Sequence, residues 1–165
     1  MWNWLNSFLV GRKQLTTVNG FSSSIRSVTY GVPQGSILGP LLFLVYINDI
    51  GFLPDVPFKP KLYADDTNMF VYSHSLQDLQ LKAQDTLDKV SAWVAANRLT
   101  INVDKTCFMI FRPSSTLIDL SQFTLHLNSR VLSRVTSTKF LGVTIDDELT
   151  WTIHIQNLCL HLLGI

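Results

Sequence analysis

Two adjacent carboxylates, Asp65 and Asp66, interrupt an otherwise apolar stretch: Lys61-Leu62-Tyr63-Ala64 precedes them and Asn68-Met69-Phe70-Val71-Tyr72 follows Thr67. Runs rich in aromatic and β-branched residues on both sides of a polar pair read as a β-hairpin with the acids at its tip. There a turn can present charged oxygens without burying them unpaired. Two like charges this close repel, and a cation beside them would relieve the repulsion. Magnesium suits that place, because it takes hard oxygen ligands, often one or two carboxylates completed by substrate phosphates. Taken by itself, Asp-Asp is ordinary turn chemistry, since Asp is common in turns. The rest of the chain decides between the two.

At 165 residues the chain has the size of one domain, and 47% hydrophobic residues leave ample material for a core. The charged fraction, 15%, is low for a free-standing soluble domain, and mean hydropathy is +0.23. That combination points to apolar surface covered by a further part or partner. Net charge is only +1, so the total gives no sign of nucleic-acid binding. The distribution is more telling: the first 48 residues hold no Asp or Glu, and their charges are Arg12, Lys13 and Arg26 alone. Cys107 and Cys159 are too few for a disulfide framework or zinc site, which implies a reducing compartment. Cys107 sits in an alternating apolar run and reads as a buried small side chain. The four histidines show no metal spacing. The longest apolar run, Ile37 to Ile47, is 11 residues, too short to span a bilayer, and no signal peptide is evident at Met1-Trp2-Asn3-Trp4. The expectation is a soluble, intracellular chain, cytoplasmic or nuclear rather than secreted, and a piece of something longer.

Trp2, Leu5, Phe8 and Leu9 recur at helical spacing. Gln14 to Val18 and Ile25 to Tyr30 read as strands separated by Asn19-Gly20 and the serines Ser22-Ser23-Ser24. Gly31-Val32-Pro33-Gln34-Gly35-Ser36 is a loop, with Ser36 placed to cap a helix running to about Asn48 and Pro40 in its first turn. Gly51 to Pro60, with three prolines, reads as a linker. Leu76, Leu79, Ala83, Leu87, Val90 and Val94 trace one face of a long helix from about Leu76 to Ala96, with Ser75 and Asp78 as a capping box and Asn97 at its end. Thr106 to Phe111 is an expected strand, Phe123–Leu127 and Arg130–Leu132 a hairpin around Asn128-Ser129, Lys139 to Ile145 a further strand, and Trp151 to Leu163 a helix. The pattern is α+β: an antiparallel sheet with helices packed on one face.

Gly31-Val32-Pro33-Gln34-Gly35-Ser36-Ile37-Leu38-Gly39-Pro40-Leu41-Leu42-Phe43, followed by Tyr63-Ala64-Asp65-Asp66, resembles the reverse transcriptase family, in particular the enzymes of non-LTR, LINE-type retrotransposons. The resemblance continues in order through Leu99-Thr100-Ile101-Asn102-Val103-Asp104-Lys105-Thr106 and Lys139-Phe140-Leu141-Gly142-Val143-Thr144-Ile145-Asp146, with Leu149, Trp151 and His154. Trp4-Leu5, Arg12, Gln14 and Gly20 fit the lead-in. A lone Tyr-Ala-Asp-Asp is weak evidence; four motifs in order and spacing over nearly the whole chain are specific.

The resemblance implies a fragment of the right-hand polymerase fold. Residues 1–112 would be part of the palm, and 113–165 its end, with the primer-grip region, and the start of the thumb. It implies an RNA-directed DNA polymerase that joins nucleotides to a primer 3′-hydroxyl on an RNA template. Two divalent ions about 4 Å apart, Mg2+ or Mn2+, would serve that chemistry. Asp65 would be the main metal ligand and Asp66 its companion, with Tyr63 and Ala64 beside the primer terminus. Gln34 would hydrogen-bond the template–nucleotide pair, and Gly35 would admit the nucleotide to the backbone. Lys105 would neutralise or protonate the departing pyrophosphate, though alone it reads as a solvated lysine. Phe140, Leu141 and Gly142 match the primer grip, though Phe140 and Leu141 also suit a core strand. Arg12, Lys13 and Arg26 are candidates for a sequence-independent grip on phosphates. Asp146, Asp147 and Glu148 read as an acidic turn with no metal.

The family takes a further metal ligand from an aspartate upstream of the Gly31 loop, and nothing upstream of Gly31 is acidic here. The expectation is therefore part of an active site, inactive in isolation, whose fingers and thumb belong to a longer polyprotein. The alternative is a non-catalytic retrotransposon remnant that binds RNA or protein.

Overall fold

The computed structural model describes residues 2–53, 58–113 and 118–163. The chain divides into two compact units, Met1–Gly51 with Lys61–Asn68, and Phe52–Pro60 with Met69–Ile165. No described helix is long and apolar enough to cross a membrane.

The first unit opens with α1 (Trp2–Leu9), as the helical spacing predicts. None of its residues is buried, and the i,i+4 pair Trp4 and Phe8 stacks with ring centroids 5.9 Å apart. A ribbon follows, made of β1 (Lys13–Gln14), β2 (Thr17–Val18), β3 (Phe21–Ser22) and β4 (Arg26–Ser27). Thr17 pairs with Ser22 and Val18 with Phe21, whereas Lys13 pairs with Ser27 and Gln14 with Arg26. The register thus slips by one residue on the returning arm, which is a β-bulge around Ser23–Ile25. Thr16 fixes it by donating its amide to the Ser23 hydroxyl at 3.0 Å and accepting the Ser23 amide at 2.8 Å. The turn is Asn19-Gly20 alone; the serines expected to share it lie within the returning arm.

The helix α2 (Leu38–Ile47) is apolar all round and continues as a 3-10 turn, Asn48–Phe52. Of the linker expected over Gly51 to Pro60, residues 54–57 lie outside the described residues. The remainder is ordered: Gly51 and Phe52 close the 3-10 turn, and Pro60 falls inside β5 (Phe58–Tyr63). β5 pairs with β6 (Asp66–Val71), giving the expected hairpin with Ala64-Asp65 as a two-residue connection.

The second unit is organised on α3 (Leu76–Ala96). Ser75 caps its start, accepting the Asp78 amide at 3.2 Å. The return half of the expected capping box is absent, because the Asp78 carboxylate bonds the Ser73 hydroxyl and meets Lys82 at 2.6 Å. Its end is a Schellman motif with Arg98 in the left-handed position at φ 55: the Arg98 amide reaches the Ala95 carbonyl at 3.0 Å and the Leu99 amide reaches Val94 at 2.9 Å. Leu87 forms the main core with Phe123, Leu125, Leu127 and Leu132, and Met69, Leu79, Phe108 and Ile110 pack around them.

Leu127 belongs to β8 (His126–Leu127), which pairs with β9 (Arg130–Val131) around Asn128-Ser129 as expected. The other edge of β8 is covered by side chains of α3. The Gln84 carboxamide takes the His126 amide at 2.9 Å and donates to the His126 carbonyl at 2.9 Å, and Gln80 donates to the Thr124 carbonyl at 3.0 Å. A glutamine thus substitutes for a neighbouring strand.

The expected strand Thr106–Phe111 shrinks to β7 (Cys107–Phe108), which pairs in parallel with β10 (Ser133–Arg134). Cys107 is exposed rather than buried, because Phe108 is the residue turned toward the core. The single strand expected over Lys139–Ile145 is a hairpin, β11 (Ser137–Phe140) and β12 (Val143–Asp146), turning at Leu141-Gly142. The last helix, α4 (Thr152–Leu163), packs on β12, where His154 Nδ1 accepts the Thr144 amide at 3.3 Å. The α+β class holds, but among the described residues the strands form six two-stranded ladders instead of one antiparallel sheet, and one ladder is parallel.

Candidate active site

The hairpin tip is built from a strained turn. Of its two central residues, Ala64 has φ 51 and Asp65 does not enter the left-handed region. That sign pattern belongs to the II′ turn, whose first central position ordinarily takes Gly. Asp65 lies in the turn and Asp66 opens β6, so strand alternation does not force their carboxylates to opposite faces. Tyr63, Ala64, Asp65 and Asp66 are all exposed. The four carboxylate oxygens suit a hard divalent ion, and Asp65 and Asp66 are the residues that would hold it. Among the described residues no group of three His, Cys, Asp or Glu side chains is placed to hold a metal. Any ion at the tip therefore leaves most of its coordination shell to water, phosphate or further ligands.

The Gln34 loop falls in the same compact unit as the tip. Gly35 stands at φ 76, a conformation that explains a glycine there whatever approaches it. Gln34 is exposed, and the loop presenting it is clamped from below. The Ser36 hydroxyl donates to the Pro33 carbonyl at 2.6 Å and accepts the Gly39 amide at 3.0 Å. A Cβ at Gly39 would meet the Pro33 oxygen at 2.9 Å and Ser36 Oγ at 3.0 Å. Gly39 packs against this loop in a way that reasoning on the sequence misses; its signal is a lone glycine inside an apolar helical run.

The three cations that precede the Gly31 loop do not share a face. Arg12 is engaged locally, its Nη1 donating to the Phe8 carbonyl at 2.8 Å and its guanidinium 5.2 Å from the Phe8 ring centre. Lys13 and Arg26 are exposed on the ribbon, but Arg26 pairs with Gln14, the neighbour of Lys13, so the two point to opposite faces.

Lys105 and Phe140-Leu141-Gly142 lie in the second unit. Lys105 is exposed on a turn organised by Asn102, whose carbonyl accepts the Lys105 amide at 3.2 Å and the Thr106 hydroxyl at 2.8 Å. Phe140 is half-buried, while Leu141 is 50% exposed at φ 48 beside Gly142 at φ 88. Two successive positive φ values make this a I′ turn, in which a leucine is out of place. Beyond it, the buried Asp146 carboxylate accepts the Thr150 amide at 2.9 Å, the Thr150 hydroxyl at 3.0 Å and the Glu148 amide at 3.1 Å. The Thr150 amide above all holds the Asp146 carboxyl below its ordinary range. This acid is fully used as a turn anchor.

Residues 1–145 match the family described as "Reverse transcriptase (RNA-dependent DNA polymerase)". The chain is 32% identical over 160 residues to the RNA-directed DNA polymerase from mobile element jockey of Drosophila melanogaster, covering 93% of this chain and 17% of that protein. It is 32% identical to the probable RNA-directed DNA polymerase from transposon BS over 92% of the chain, and 29% identical to that from transposon X-element over 93%, both of the same fly. In each case it spans 17% of the relative's length. No solved structure matches the chain significantly. With a family match over most of its length, and the Gln34 loop and Asp65-Asp66 tip in one compact unit, the chain belongs to the reverse transcriptase family.

Proposed function

We propose that the chain carries part of the active site of an RNA-directed DNA polymerase, which transfers nucleotides to a primer 3′-hydroxyl by two-metal chemistry. The observation that carries this reading is the strained Ala64-Asp65 turn, which holds two exposed carboxylates in the same unit as the Gln34-Gly35 loop. A bound Mg2+ or Mn2+ would neutralise phosphate charge there. Asp65 and Asp66 hold it, Tyr63 and Ala64 flank the primer end, and Gln34, on its clamped loop, bonds the template–nucleotide pair. Lys105 neutralises the leaving pyrophosphate, and the Phe140-Leu141-Gly142 turn supports the primer. Residues 1–112 are then part of the palm and 113–165 its end and the start of the thumb. RNA template, DNA primer and nucleoside triphosphates are the substrates, and the remainder of a longer polyprotein is the partner.

Alone, the chain is inactive in this reading, because two carboxylates leave the transition state without most of its charge stabilisation. The first test is nuclear magnetic resonance with Mn2+ as a paramagnetic probe. Broadening should centre on Ala64 to Thr67 and vanish in Asp65→Asn. Broadening spread evenly over exposed carboxylates would remove the metal site from the proposal. Primer extension on an RNA template is the second test, and robust synthesis by the chain alone would overturn its inactivity.

A further inference from the structure

We infer that Gln80 and Gln84 guard the edge of β8 against a second copy of this chain, which would otherwise pair with it strand to strand. The inference stands apart from the polymerase reading and concerns assembly rather than catalysis.

The run from Phe123 to Leu127 alternates strictly: Phe123, Leu125 and Leu127 are buried, while Thr124 and His126 are exposed. Burial of a strand thus extends beyond the two paired residues of β8. On one edge, Leu127 lies opposite Arg130 and the Leu125 carbonyl accepts the Leu132 amide at 2.8 Å. The backbone groups of Thr124 and His126 therefore point to the other edge, the one facing α3. From Ser121 to Asn128 the sequence holds no Lys, Arg, Asp, Glu or Pro. Charge and proline are the usual protections of a strand edge, and this segment carries neither. An uncharged, alternating, proline-free run is the kind that adds to a copy of itself.

The long helix supplies the missing protection. Gln80 and Gln84 stand one turn apart on one face of α3. Four helical residues rise about 6 Å and two strand residues about 6.8 Å, so the pair keeps step with the Thr124 and His126 carbonyls. The Gln84 carboxamide is held in one orientation, because its Nε2 also donates to Asp88 Oδ1 at 2.9 Å. Turned over, it would set its oxygen against two acceptors and its amino group against the His126 amide. Ser91 continues the contact, donating to Asn128 Oδ1 at 3.0 Å.

A second copy is the partner this edge fits, because the edge is self-complementary. In an antiparallel pair about a two-fold axis, one residue can exchange both bonds with its own equivalent. His126 against His126 would give each copy one donor and one acceptor. Gln84 now gives His126 the same two.

Hydrogen exchange and sedimentation on the whole chain test the guard. In the unchanged chain the His126 amide should exchange as slowly as the Leu132 amide; exchange as fast as an unbonded loop amide overturns the guard. Gln84→Met keeps side-chain length and helix preference but removes the donor and the strong acceptor. At dilution its His126 amide should exchange about tenfold faster, the scale of one lost hydrogen bond. As concentration rises, protection should return together with a dimer in sedimentation. Adding His126→Pro takes the N–H from that edge and should restore the monomer. A Gln84→Met chain that stays monomeric with His126 unprotected at every concentration overturns the proposal. Self-association that His126→Pro leaves unmoved overturns it too, since another apolar surface is then responsible.

Discussion

Four two-residue hairpin turns place a non-glycine residue at positive φ, and they divide into two kinds. Asn19-Gly20 and Asn128-Ser129 put asparagine, at φ 50 in both, where a left-handed residue is needed. Asparagine visits that region readily, so these turns serve the hairpins that contain them. Ala64 at φ 51 and Leu141 at φ 48 occupy the same kind of position with side chains that resist it, at about 1–2 kcal/mol each. Both are exposed, so packing does not explain them. Strain of this kind persists where the surrounding structure over-determines it, and it clusters at sites that act on something else. The two strained turns are also the two that the family resemblance marks, as metal tip and primer grip. Strain of this kind also stands outside the two marked turns, at Ser129, Leu149 and Trp151, so it accompanies those turns without being confined to them.

Leucine offers the sharpest way to break this contrast, because it occurs beside one turn and within another. Leu127 precedes Asn128-Ser129 and is 2% exposed in the core with Leu87, Phe123 and Leu132. Leu127→Ala should destabilise the second unit by about 3 kcal/mol, read from urea denaturation. Leu141→Asn should do the reverse, stabilising by up to about 1 kcal/mol by placing a suitable residue at φ 48. If Leu141→Asn is as damaging as Leu127→Ala, Leu141 is a packing residue and the division of turns fails. Ala64→Gly extends the same logic to the metal tip. It should raise stability by about 0.5–1 kcal/mol, yet weaken Mn2+ binding several-fold, because a freer tip must be ordered when the ion binds. Unchanged Mn2+ affinity would mean the strain plays no part in holding the carboxylates.

The long helix is legible in the sequence because six apolar positions at helical spacing, Ser75 and Asn97 all agree, and the structure has Leu76–Ala96. The carboxylate hairpin is legible because aromatic and β-branched runs flank a polar pair suited to a turn. The strand after Thr106 is not: the alternation expected around Cys107 is missing, since Cys107-Phe108-Met109-Ile110-Phe111 is apolar throughout, and period alone does not locate its two paired residues. The Leu141-Gly142 turn is hidden because a leucine carries no turn signal, so its two strands merge into one. The Gln84 cover over β8 is hidden too: a glutamine on a helix reads as solvated until its strand partner, 42 residues away, is known. Of the site, the ligand-bearing side chains can be read from residue types. The clamp of Ser36 and Gly39 needs the distance to the Pro33 carbonyl.

Asp146 supplies the smallest test, at the far end of the Leu141 hairpin. Leu149 at φ 56 and Trp151 at φ 63 are two further left-handed residues, and the Asp146 carboxylate holds the turn between them through Thr150 and Glu148. Its folded pKa lies below the ordinary value of 3.8, chiefly because the Thr150 amide donates to the charged form. The unfolded chain therefore binds this proton more readily than the folded one. The stabilisation is fully present above the unfolded pKa and is lost as pH falls through the folded value. Asp146→Asn should accordingly lower the melting temperature near pH 6, with the gap to the unchanged chain narrowing below about pH 4. A gap that stays constant down to about pH 3 would show that the carboxylate's charge is not what holds Leu149 and Trp151 in their strained conformations, leaving shape complementarity of the Asn-compatible bonds to do so.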